Sequence, residues 1–543
     1  MVRSTRFVGD VKIGMLQADS GHDEGIYNAM IKDCVIGDHV YISGVAGRLE
    51  GLTIDDEACI ENVGRIIAEP EADFGVGTAV SVLDETGSRP VYIFPGLTAQ
   101  LAVLMAHRPA WTEETFLPML EDLRENAPRK PVIGKGAKVL DTRYIFNVRI
   151  GAGVNVHGAS YLKNGTILSN GIYDHSLTIV GNDVDAEDFI VEDAHVDSGT
   201  LLRRCYVGQG AELEKRFTAH DSLFFANSSM ENGEACAIIA GPYTVSMHKS
   251  SLLIGGEYSF FNAGSGTNSS NHKYKLGPVH WGIMQRGVKT ASSSYIMWGG
   301  RIGAFSLLMG AHKSHPDTAA FPFSYLFGQA DGSTLVMPGL MLKSCGLMRD
   351  ELKWPKRDRR IKGRVPLRDN VHFEVLNPIT VGAMIEALNI LESLKHEDVN
   401  ANGMVKYKNV YLRKKDLERG IEFYTLAIAK YVFGKLKKAQ QSGMTMLPKE
   451  VEWKDLGGQI MPSDTIEKAM QADTPAEIIE AFDDAYAEFD ELELGWIQNI
   501  LDQPLKEAIG KAENAAARLD ALVEKDRKDY LQTLTSHNSV FTL

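Results

Sequence analysis

At 543 residues, 44% of them hydrophobic and 24% charged, the chain can bury several cores and reads as globular. Its formal net charge of −14 excludes a general nucleic-acid binder, which needs a basic face. The five cysteines are widely spaced with no C-x-x-C pair, Met1–Arg6 precedes no apolar stretch, and no run approaches the ~18 residues of a membrane span. These features exclude a disulfide framework, a zinc knuckle, a signal peptide and a membrane partner, and make cytoplasm the expectation.

In chain order, residues 1–94 carry a hexad repeat. Ile36-Gly37-Asp38-His39-Val40-Tyr41-Ile42 sets aliphatics six apart with Val40 in fifth place, and Ile54 to Ile60, with Ala58 fifth, repeats it three hexads on. Phe74-Gly75 with Thr78 and Val80 reads as a further case. Over residues 95–129 the sixes vanish, and Leu101, Leu104, Met105, Phe116, Leu120 and Leu123 predict one or two amphipathic helices. Over 130–350 the hexads resume at Ile133 and Ile150. They run through Val184, Ile190, Val196 and Leu202, with Ala194 and Thr200 in fifth place, continue at Val207 and close at Ile302 with Ser306 and Leu308.

The physics of the repeat is simple. A short strand turns one aliphatic inward, Gly or Asp permits the corner, and a small fifth residue fits the tight interior beside the next corner. Three hexads make one triangular coil, which buries its inward residues only against its neighbours. The predicted fold is mainly β, a parallel β-helix with a helical insertion. Residues 351–365 read as a basic linker. Residues 366–543 read as an α-helical region, with stripes through Met384, Leu388 and Leu391 and through Leu417, Ile421 and Tyr424. Thr474-Pro475-Ala476-Glu477 predicts a helix start, followed by a long helical stretch towards Asp529.

From Gly255 to Ser294 the repeat is overwritten by Asn, Ser, Gly and His. Asn262 through His272 either fills corners with an Asn/Ser ladder or presents a ligand-facing wall. The catalytic candidates are His248, His272 and His280, each able to serve as a general base or to join a divalent-metal site. Asn227, Asn262, Asn268, Asn271 and His312 are candidates for holding polar substrate groups. Lys249, Lys273, Lys275, Arg286, Lys289 and Arg301 are candidates for phosphate or carboxylate. The run Lys353-Trp354-Pro355-Lys356-Arg357-Asp358-Arg359-Arg360 is either a solvated linker or a second anion-recognising cluster. No Walker A loop, G-x-S-x-G elbow or Rossmann fingerprint is present in the sequence.

The hexads resemble the left-handed parallel β-helix of hexapeptide-repeat proteins, and that resemblance alone implies the hand. Longer motifs extend it: Ser222-Leu223-Phe224-Phe225-Ala226-Asn227, Ala240-Gly241-Pro242-Tyr243-Thr244-Val245, Phe261-Asn262-Ala263-Gly264-Ser265-Gly266-Thr267-Asn268, Pro322-Phe323-Ser324-Tyr325-Leu326 and Trp354 to Arg360. These resemble an uncharacterised bacterial hexapeptide-repeat family often labelled as related to UDP-N-acetylglucosamine pyrophosphorylase, over most of residues 1–435. The resemblance implies a homotrimer acting on a small molecule. A sugar nucleotidyltransferase carries a Gly-rich, Arg-containing phosphate loop that this N-terminus lacks, so the label implies the scaffold rather than that activity.

Three functions stay open. One is acyl transfer to a sugar or sugar nucleotide, with His248 or His272 as base and an acyl-CoA co-substrate. Another is a metal-dependent lyase or hydratase of the β-helix carbonic-anhydrase type. The last is a binding or assembly scaffold without catalysis.

Overall fold

A computed structural model describes residues 1–16, 24–125, 130–170, 179–270, 281–360, 367–443, 447–501, 505–510, 512 and 514–538. Two compact units divide the chain. The first comprises 1–256, 358–369 and 473–475, and the second 257–357, 370–472 and 476–543.

The first unit is built on three parallel ladders. One runs through Val2–Arg3, Gly25–Tyr27, Tyr41–Ser43, Cys59–Glu61, Lys138–Leu140 and Asn155–His157, and on to Val245–Ser246. A second begins at Arg6–Val8, Met30–Lys32, Leu49–Glu50 and Arg65–Ile67. The third begins at Lys12–Ile13, Val35–Ile36 and Thr53–Ile54 and continues through bridges at Ile133 and Ile150. From Tyr144–Ile150 onward the second and third ladders share long strands, Tyr161–Leu168, Asp185–Glu192, Leu201–Val207 and Thr218–Phe224. Each long strand bends at one residue in the left-handed region: Asn147, Asn164, Asp188, Arg204 and Asp221, with φ of 54°, 48°, 56°, 51° and 48°. Most are Asn or Asp, the residues that tolerate this region best. Their side chains also bond along the stack, Asn164 to Asp188 at 2.7 Å and Arg204 to Asp221 at 2.6 Å.

The inward positions are those the hexads mark. Ile42, Ile60, Val139, Val156, Val196 and Leu213 are fully buried, as are Val40, Ala58, Ala137, Ala194 and Ala211 in fifth place. At several fifth positions held by Thr or Ser, the hydroxyl donates to the carbonyl three residues back. Thr200 and Thr244 do this in the first unit, and Thr267, Ser294 and Ser324 in the second, at 2.7–2.8 Å. A small hydroxyl therefore closes its own corner and satisfies a buried carbonyl.

The Phe74 heptamer departs from the expectation. Ala79–Ser81 pairs antiparallel with Pro90–Tyr92, so this segment is a hairpin outside the parallel ladders. Aliphatics six apart are common by chance, and here the match is one. Helices follow at Ala99–His107 and Leu117–Glu125, with a π-helical turn at Thr112–Phe116 between them.

In the second unit, parallel pairing again links strands of the expected polar region. Asn268–Ser270 lies beside Tyr295–Met297, Gly282–Met284 beside Arg301–Ile302, and Lys289–Thr290 beside Leu307–Met309. The later part is helical, with Pro378–Leu394 capped by Asn377 in a capping box and Lys414–Ser442 ending at Gly443. The stretch after Thr474 is broken into Pro475–Ala487, Phe489–Leu501, Leu505–Gly510 and Ala515–Asn538. Before Thr474, two hairpins interrupt the helical region, Met404–Tyr407 with Val410–Arg413 and Trp453–Leu456 with Gln459–Pro462. The second turns on Gly457-Gly458, both at positive φ, a two-residue hairpin signal that the helical stripes obscured.

Candidate functional site

The sequence candidates disperse over the two units. In the first, His248 and Lys249 are exposed just past the strand Val245–Ser246. Asn227 is 3% exposed; its amide donates to Asp358 at 2.9 Å and its oxygen accepts from the Arg359 N–H at 2.8 Å. In the second, Asn262 and Arg301 are exposed, and Asn268 is half-buried on its strand. Lys289 pairs with the buried Asp350. His272, His280, Asn271, Lys273 and Lys275 lie outside the described residues.

His312 is fully buried, with Nδ1 3.0 Å from the Thr334 hydroxyl and Nε2 without a partner among the described residues. Burial lowers its pKa to about 4, so it stays neutral near pH 7. Among the described residues no group of three or more His, Cys, Asp or Glu is placed to hold a metal ion. Cys205 is fully buried and burial pushes its thiol up to about 12, which leaves it an inert core side chain.

A dense polar cluster gathers around Asn227 and the end of the basic run. Part of the expected linker belongs to the first unit, where the described residues Asp358, Arg359 and Arg368 bond to Asn227, Gly210 and Gln209. Arg360 is 5% exposed and pairs bidentately with Asp358, at 2.9 and 3.0 Å. Arg359 donates to the Gly210 carbonyl at 2.7 Å and meets Glu212 at 3.0 Å. Asp369 is 3% exposed and accepts the backbone N–H of Ala99 at 2.5 Å and of Ala226 at 3.0 Å. These contacts replace both expectations for this stretch: Arg359 and Arg360 neither lie in a solvated linker nor stand free for an external anion.

Beside them, Glu192 accepts the Gly96 N–H at 2.7 Å and lies 3.7 Å from Arg368. The Tyr206 hydroxyl has one proton and two oxygens in reach, the Leu97 carbonyl at 2.9 Å and Glu192 Oε2 at 3.1 Å. A protonated Glu192 donating to Tyr206, which donates onward to Leu97, satisfies both contacts. Burial, opposed by Arg368, raises the Glu192 pKa in the same sense. Asp193 and Asp369 are also raised, again by burial. Asp358 is the exception. Burial pushes it up, but the Arg360 guanidinium outweighs this and holds it below the ordinary carboxylate range.

The second unit has its own buried ionic core. Arg286 is 1% exposed and grips Asp455 at 2.6 and 3.2 Å, the His372 carbonyl at 3.0 Å and the Gly458 carbonyl at 2.8 Å. The His372 Nδ1 accepts the Ile460 N–H at 3.0 Å, which places the proton of the neutral ring on Nε2. The ring packs 4.0 Å from Phe489, and burial with the nearby Arg286 and Lys435 lowers its pKa to about 3. Lys435 bridges Glu493 and Glu374, each at 2.6 Å, and Tyr431 donates to Glu493 at 2.8 Å. Burial works against the charge on Lys435, yet these two carboxylates raise its pKa and keep it protonated.

Both clusters pair their charges within the chain, which is what structural cores do and what an empty anion pocket does not. Trp354 fits the same picture, buried 4.7 Å from Phe260 in the second unit. The sequence carried one overlooked signal for these partners: Asp455 stands in the hairpin announced by Gly457-Gly458.

No curated protein matches the chain. The model of a domain of unknown function, DUF4954, matches residues 1–395. That match corrects the resemblance drawn from the longer motifs, because neither a hexapeptide-repeat family nor a pyrophosphorylase-related one is shown. With most of its length covered, including the ladders and the returning segment 358–369, the chain belongs to the DUF4954 family.

Proposed function

We propose that the protein is a binding or assembly scaffold whose three parallel ladders are the faces of a left-handed parallel β-helix. One observation carries the proposal: three of the described candidates for holding a substrate, all buried or half-buried, are held by the chain itself. Arg286 is closed by Asp455, Lys289 by Asp350 and Asn227 by Asp358 and Arg359. A transferase needs its base and its anion-holding groups turned towards one substrate. The expected partner is a phosphorylated or carboxylated small molecule in the cytoplasm, bound by a homotrimer whose stoichiometry light scattering tests.

A second reading, acyl transfer, keeps one supporting feature: His248 and Lys249 stand adjacent and exposed, where an imidazole could reach a hydroxyl. One experiment separates the two. The full chain is incubated with a bacterial metabolite extract and, separately, with acetyl-CoA and amino sugars, and consumption and thiol release are followed. The scaffold retains ligands and consumes none. Turnover that His248→Ala abolishes would overturn the scaffold and establish transfer.

A further inference from the structure

We infer that Arg149, in the first unit, anchors an oxyanion site that takes the phosphate or carboxylate group of a small molecule. This deepens the scaffold reading and rests on the anionic small-molecule partner proposed there, while its test does not depend on whether the protein turns a substrate over. Arg149 lies between the inward residues Val148 and Ile150 of the strand Tyr144–Ile150, so its side chain points away from the core. There it is half-buried against Phe74, with the guanidinium carbon 4.4 Å from the ring centroid.

The contrast with five other cations of this unit is the central observation. Lys163, Arg203, Arg359, Arg360 and Arg368 are each buried or half-buried, and each meets a carboxylate. Arg149 meets none among the described residues; its buried Nε has no hydrogen-bond partner there, which it shares with Arg368, but Arg368 has the Glu192 carboxylate beside it. Burial lowers its pKa, and among the described residues no charge compensates. Stacking on a ring is worth about 1 kcal/mol and does not replace the hydration a guanidinium loses. A charge-assisted, forked contact with an oxyanion does replace it.

The wall behind the guanidinium is fixed. Phe74 is 8% exposed, its carbonyl accepts the Thr166 hydroxyl at 2.7 Å, and the next N–H, of Gly75, donates to Asn164 at 2.9 Å. Thr166 is the residue paired with Arg149 across the ladder. The ring therefore holds the fork in place before a ligand arrives, which lowers the entropy lost on binding.

The test titrates sodium phosphate and sodium succinate, separately and at constant ionic strength, into the full chain by isothermal calorimetry. At least one anion should bind saturably, and the arm that responds identifies the group recognised. Arg149→Gln should weaken that binding at least tenfold. Arg65→Gln, which removes an exposed arginine 5.4 Å above the Tyr144 ring, should leave it unchanged. Should Arg149→Gln fail to fold, Arg149→Lys keeps the charge without the fork and should still bind more weakly than the parent. Absence of saturable binding in both arms overturns the site. So does binding by the Arg149 variant as tight as the parent's, or an equal loss in the Arg65 variant.

Discussion

The two units hold their deepest carboxylates by different means, although ion pairs such as Arg360 with Asp358 occur in the first as well. In the first, the deepest carboxylates lean on the backbone: Asp369 on the N–H groups of Ala99 and Ala226, and Glu192 on that of Gly96. In the second, charge answers charge, Arg286 with Asp455 and Lys435 with Glu374 and Glu493. The difference sets what is left behind when one member is lost. A backbone donor cannot turn towards solvent, whereas a side chain near the surface can.

The largest effect is therefore expected in the first unit. Asp369→Ala strands two buried N–H groups and removes a counter-charge from Arg360, at a cost of about 3–5 kcal/mol in chemical denaturation. Asp369→Asn keeps an acceptor and should recover part of it. A loss under ~1 kcal/mol for the alanine variant would break the comparison. Next in size is Arg286→Met. Asp455 is 18% exposed and can take up water, so the expected loss is smaller, about 2–3 kcal/mol. A loss exceeding that of Asp369→Ala would reverse the ranking.

The smallest effect lies in pH dependence. The folded-state pKa of Glu192 is raised, so the stability it contributes is fully present below the ordinary carboxylate range, near pH ~4, and is lost as pH rises through the raised value. Glu192→Gln removes that titration. The difference in thermal midpoint between parent and variant should thus move in the variant's favour from pH ~4 to ~8. Parallel curves would show that the Tyr206–Glu192 contact does not hold the proton.

The fold was legible where the determinants are local. Val40, Ala58 and Thr200 mark corners because the space beside a corner admits only small side chains, and a six-residue window contains that information. The Phe74 heptamer shows the weakness of a single window, since nothing within it distinguishes a hairpin from a ladder strand. The returning segment was not legible at all. Asn227 finds Asp358 across 131 residues and Ala99 finds Asp369 across 270, so composition alone made Arg359 and Arg360 look solvated. Arg286 was singled out for its charge, but its partner Asp455 sits 169 residues away in a stretch whose helical stripes drew attention from the Gly457-Gly458 turn. Function was the least legible, because an arginine bound to its own chain and one awaiting a ligand look alike in a sequence.

The ladder that pairs Cys59–Glu61 directly with Lys138–Leu140 has an evolutionary corollary. Asn62 and Asp141 bond side chain to side chain at 2.6 Å although 79 residues separate them. The hairpin and helices between leave and rejoin the stack at neighbouring points, and closing a longer loop adds little entropic cost. Such a seam can accept length changes in the parts of the appendage away from Phe74 and Gly96, which bond to the stack, and from Ala99, which bonds to Asp369, without disturbing register on either side. Length variation among relatives should therefore gather there, leaving the stack itself as the conserved chassis.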